Sequence, residues 1–114
     1  MSERSPVDTQ EAPAVRPPRL PPLHWRRVVH GGRRFVLRQP VDITVEVRDG
    51  LWIHECAPLG IVAYAPTRAE SLNAFRLDFA ACWASVAQES DENLTEDARD
   101  LKRALLDLVE HVEE

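Results

Sequence analysis

The sequence predicts an α+β domain: a small antiparallel sheet, made of two hairpins and a short strand, packed by one long helix and followed by a second, C-terminal helix. Three observations carry the prediction. Polar and apolar residues alternate without interruption from Val41 to Arg48, an Asp49-Gly50 pair follows directly, and apolar residues recur at helical spacing after Thr67. The chain has 114 residues, enough for one modest core and too few for a multidomain enzyme.

Seven of the nine prolines fall in the first forty residues. Residues 1–22 lack apolar periodicity and read as a disordered Pro/Arg-rich tail whose Pro17–Pro22 stretch favours polyproline II. Residues 23–114 read as a single α+β domain. Its first element is a hairpin: Trp25, Val28 and Val29 precede Gly31-Gly32, and Phe35, Val36 and Leu37 follow, the glycines supplying the positive φ of a tight turn. Arg26, Arg27, Arg33, Arg34 and Arg38 lie on both of its strands.

The second hairpin is set by Asp49-Gly50. A two-residue turn there pairs Arg48 with Leu51, Val47 with Trp52, Val45 with His54 and Ile43 with Cys56. One face is then Val41, Ile43, Val45, Val47, Trp52, His54 and Cys56, and the other carries Asp42, Thr44, Glu46, Arg48, Leu51, Ile53 and Glu55. A turn at Pro58–Gly60 leads to a short strand, Ile61 to Ala65.

Thr67 and Glu70 form a capping box. Leu72, Phe75, Phe79, Cys82, Trp83 and Val86 share one side of the helix that follows, and Glu70, Ser71, Asp78, Ser85 and Gln88 make its polar strip. So wide an apolar arc needs more cover than one sheet face, from the next helix or from another chain. Thr95 caps the last helix, where Ala98, Leu101, Leu105, Leu108 and Val112 form a narrow stripe that packs on its own domain or self-associates.

The net charge of −5 conceals a gradient. Residues 1–40 carry +5, residues 41–87 carry −3 and residues 88–114 carry −7. A basic arm suits phosphates or an acidic surface, and an acidic end suits a basic partner. Cys56 and Cys82 are too few for a disulfide framework or a metal motif, and no apolar run approaches the ~18 residues of a membrane span. The expectation is a cytoplasmic protein with reduced thiols, no membrane partner and no cofactor.

Candidate chemistry is sparse. His24, His30, His54 and His111 fall on four different elements without ligand spacing, so neither a metal site nor a catalytic residue is assigned. His54 shares a face with Cys56, which raises a Cys/His nucleophile against the plainer reading of a core-edge histidine. Asp42, Glu46 and Glu55 share the opposite face, either as a metal-binding carboxylate set for hydrolysis or as an ordinary wet face.

The stretch "ITVEVRDGLWIHECAPLGIVAYAPTRAESLNAFRLDF" resembles the HicB-like antitoxin family. The likeness covers roughly residues 43–86, within a core at about 41–88, and rests on Asp49-Gly50, Trp52, the Pro58–Gly60 corner and the Thr67–Glu70 cap in that order. It departs from the family in its shorter corner, in Ala65-Pro66 before Thr67, and in showing no fourth strand after the first helix. The resemblance implies a degraded RNase H-like fold and a role in neutralising a small basic ribonuclease toxin. The expected function is therefore a non-enzymatic, antitoxin-like binding module that covers a basic protein partner, with a homodimer also open. Trp25, Asp42, Glu46 and Glu55 are placed at the contact. One alternative is a nucleic-acid binder using Arg26, Arg27, Arg33 and Arg34; a second is a metal-dependent hydrolase using the sheet-face carboxylates.

Overall fold

A computed structural model describes residues 19–114. Five strands and two α-helices follow the order β1 (Arg19–His30), β2 (Arg33–Arg48), β3 (Leu51–Cys56), β4 (Ile61–Ala65), α1 (Arg68–Cys82), α2 (Glu96–Leu108) and β5 (Val109–Glu113). The α+β architecture expected from the sequence is present, a long helix lying on a largely antiparallel sheet. The sheet runs β1-β2-β3-β4, and β5 also pairs with β2.

Both tight turns form where glycine pairs and Asp-Gly place them. Gly31 and Gly32 adopt φ of 59° and 79°, and Asp49 and Gly50 adopt 54° and 78°, the left-handed values that a two-residue hairpin turn requires. The β2–β3 register is the expected one, with Arg48 opposite Leu51, Val47 opposite Trp52 and Val45 opposite His54. Alternation therefore delivers Ile43, Val45, His54 and Cys56 to the core.

Three boundaries differ from the sequence reading. β1 begins at Arg19, so residues 19–22 belong to the sheet, and the rest of the segment read as a tail lies outside the described residues. Pro21 and Pro22 are accommodated at a register shift between Leu20 and Leu23, where a missing amide leaves no ladder bond unmade. Secondly, the strands expected on either side of Gln39-Pro40 are one strand of 16 residues, β2. It continues through a bulge: Trp25 faces Val41 and Arg27 faces Val36, so Arg26 alone stands opposite residues 37–40.

Thirdly, the last helix stops at Leu108 and the chain turns into β5, the strand that the sequence did not reveal. Val112 is not part of the helical stripe. It pairs with Phe35, and β5 occupies the edge of β2 beyond the end of β3, from Arg34 to Leu37. Leu105 and Leu108 are buried within the chain, so the stripe packs on its own domain.

Thr67 caps α1, its Oγ1 accepting the Glu70 amide at 3.2 Å and donating to the Glu70 carboxylate at 2.8 Å. The box thus closes through the hydroxyl, not through the Thr67 amide. A π-helical turn over Trp83–Ala87 extends α1, with the Gln88 amide bonded to the Trp83 carbonyl. Phe75 and Phe79 face the sheet: Phe75 meets Trp25 edge-on at 5.9 Å, and Phe79 meets Phe35 at 5.2 Å. Trp83, one turn further on, also meets Phe35 edge-on at 5.9 Å. The wide apolar arc of α1 is thereby covered inside the chain, helped by α2 packing on the π turn, and Leu77 is the large apolar residue of α1 left exposed. No partner is needed to complete it.

Candidate functional site

Both helices pack into the one core on the same face of the sheet, and among the described residues no helix covers the other face. Register fixes what that face displays. One row crosses three strands as Glu46, Ile53 and Tyr64, and the next as Thr44, Glu55 and Val62. Tyr64 is 65% exposed and Val62 45%, while Ile53 and Glu46 are half-buried between their neighbours. A groove of about 450 Å³ lies alongside, lined by Pro22, Thr44, Glu46, Arg48, Ile53 and Glu55.

The three expected carboxylates do not converge. Glu46 and Glu55 line that groove, whereas Asp42 borders a different depression beside Pro58 and Asp107. Asp42 is held by His24 at 2.6 Å, and Glu46 by Arg48 at 2.6 Å. Among the described residues no three His, Cys, Asp or Glu side chains gather closely enough to hold a metal ion. Trp25, expected at a contact, is half-buried against Phe75 with the Arg76 guanidinium 5.0 Å over its ring.

Sequence reasoning missed Tyr64 and Val62. The signal was present, because the alternation of Ile61 and Ala63 inward with Val62 and Tyr64 outward is legible in the strand itself.

The arginines divide into two groups. Arg34 bonds Glu113 at 3.2 Å and Arg33 lies 3.4 Å from Glu114, so β5 folds acids of the C-terminal segment back onto the basic hairpin. His111 first, and Arg34 after it, hold the Glu113 carboxyl below its usual range. Arg26 and Arg27, in contrast, line an open groove with Trp25, Arg38 and Arg76.

His54 is fully buried, and its partner is not backbone but Ser71, which the helical wheel had assigned to a polar strip. Ser71 Oγ donates to the Ala63 carbonyl at 3.3 Å, which leaves it to accept from His54 Nδ1 at 2.7 Å. Nε2 is then the bare nitrogen, buried with no partner among the described residues. Cys56 is also fully buried, and burial raises its thiol above the ordinary value, which disfavours the thiolate that nucleophilic chemistry uses.

Burial, and secondarily the charge of Arg68, lower the His54 pKa below its ordinary 6.5. The unfolded chain takes up this proton near 6.5 and the folded chain only at lower pH. Stability is therefore complete above 6.5 and falls as pH drops below it, by up to about 1.4 kcal/mol per pH unit until the folded pKa is reached. Urea unfolding at about pH 7.5 and pH 5.5 tests this. His54→Leu is expected to lose that part of the acid sensitivity, and an unchanged pH dependence in the variant would contradict it.

No protein-family model matches this chain, nor does any curated protein or solved structure. No helix among the described residues is long and apolar enough to cross a membrane.

Proposed function

We propose that this protein is a non-enzymatic binding module that covers a basic protein partner with the open face of its sheet, in the manner of the HicB-like antitoxins that residues 43–86 resemble. The observation that carries this reading is the pairing, on one helix-free face, of exposed apolar residues with carboxylates. Tyr64 and Val62 stand directly across from Ile53 and Glu55, and Glu46 follows in the same row. An exposed tyrosine beside a branched aliphatic residue, rimmed by charge, is the anatomy of a protein contact: the apolar centre supplies affinity and the rim selects the partner.

Glu55 has no basic partner within 4 Å among the described residues, so it can meet a cation without breaking an internal pair. Asp42 and Glu46 would first have to release His24 and Arg48, which makes them secondary contacts. The partner is a small basic protein of ribonuclease type, and the setting is cytoplasmic.

Co-expression with a small basic protein encoded beside this chain tests the reading. A stable complex is expected, with Tyr64→Ala weakening it by about 2 kcal/mol, roughly thirtyfold, in calorimetric titration. Tyr64 is a surface residue, so the variant should fold as the parent does. Failure to form a complex, or equal affinity in the variant, removes the proposal.

A further inference from the structure

We propose that the groove around Trp25 is a binding site for single-stranded nucleic acid, separate from the open sheet face and independent of it. The groove encloses about 570 Å³ and is built at the β1–β2 bulge, where Arg26 stands opposite residues 37–40, of which Arg38, Gln39 and Pro40 are exposed. The bulge brings Arg38 to the same rim as Arg26 and Arg27, and α1 adds Arg76. Four arginines thus line one depression with a single carboxylate, Glu110, among them. None of the four has a carboxylate within 4 Å among the described residues, although the chain as a whole is acidic. Their charge is available to a ligand, unlike that of Arg33 and Arg34, which the β5 acids occupy.

Composition selects the class of polyanion. Trp25, Val29 and Val36 provide apolar lining between the arginines. Nucleotides of a single strand present a flat apolar base and a phosphate in every unit, and so match both parts. A duplex presents phosphates but keeps its bases stacked away, and an acidic peptide brings charge without a flat partner. Arg76 is held 5.0 Å over the Trp25 ring, which fixes one guanidinium beside the aromatic surface before any ligand arrives. Every basic residue of the rim apart from His24 is arginine, whose planar fork suits phosphate oxygens and stacks on bases.

Fluorescence anisotropy with the full chain tests the site, using a labelled single-stranded RNA of about 12 nucleotides, the same sequence as a duplex, and an oligoglutamate of similar charge. Engagement of four arginines predicts that affinity for the single strand falls about fiftyfold from about 50 to about 200 mM salt. The variant Arg26→Gln/Arg27→Gln/Arg38→Gln, altered only at exposed positions, should reduce that salt response to about threefold. Arg99→Gln/Arg103→Gln, which removes charge from α2 instead, should bind as the parent does. Absence of single-strand binding at low salt, equal binding of the duplex or the oligoglutamate, or an unaltered salt response in the triple variant would each overturn the assignment.

Discussion

Phe35→Ala is expected to lower the free energy of unfolding by about 3–5 kcal/mol. Phe35 is fully buried on β2, and Phe79 and Trp83 close on it edge-on from two successive turns of helix. Truncation removes the transfer free energy of one large ring and also leaves two others facing a void. The surroundings can collapse only in part, because β1 and β5 flank the same stretch of β2 and hold its backbone on both edges. Since a domain of this size has only about 5–15 kcal/mol of stability, such a loss shifts the urea midpoint far toward zero. Leu77→Ala serves as the contrast. That side chain is largely exposed, and its removal should change stability by no more than about 0.5 kcal/mol. A Phe35→Ala loss of under about 1 kcal/mol would mean that the aromatic cluster does not hold helix and sheet together.

Ending the chain at Leu108 should cost about 3 kcal/mol. The deletion withdraws the buried Val109 and the half-buried Val112, together with the ladder that β5 makes along Arg34–Leu37. It also frees Arg34 from Glu113, an exposed pair that adds little by itself. Two measurements check the result: urea unfolding for the total loss, and hydrogen exchange for its location. The amides of residues 34–37 that point toward β5 should lose protection while those of the β2–β3 hairpin keep theirs at low denaturant. A deletion that leaves protection at 34–37 intact would show that β5 is not a working part of the sheet.

Legibility in the sequence followed the distance over which each feature is decided. The β2–β3 hairpin was readable to the residue because alternation and an Asp-Gly turn are both local and agree. The caps at Thr67 and Thr95 were readable for the same reason. β5 was not, because Leu105, Leu108 and Val112 satisfy a helical spacing, whereas Val109 and Val112, three apart, break the period of two of a strand and pair with β2 only through a register shift between Val36 and Leu37. What decides between them is the unoccupied edge of β2, some seventy residues earlier in the chain. The 16-residue β2 was hidden by Pro40, which usually ends a strand and here sits in a bulge.

The sites follow the same division. Arg26, Arg27 and Arg38 were visible as a basic hairpin, but Arg76 joins them only through packing of α1 on β1. The sharing of Arg33 and Arg34 with acids of the C-terminal segment was hidden for the same reason as β5. Ser71 was placed with the polar residues of α1, although its spacing of four from Phe75 and eight from Phe79 puts it on the buried face, and only its partnership with His54 depended on how α1 packs on the sheet. Tyr64 and Val62 differ, since their outward direction was legible and only their company with Glu55 and Ile53 awaited the register of β4.

The contact between Arg34 and Glu113 joins positions 79 apart, whereas the two glycine-bearing turns join neighbours. Assembly consequently has an order built into it. The first four strands can zip from their turns, but the clasp at the far end must wait for a long loop to close, with its greater entropic cost. Until it does, the rim of β2 at residues 34–37 offers unpaired amides and carbonyls to any extended peptide nearby. Swift closure of that clasp is thus as much a safeguard against misassociation as a contribution to the finished core.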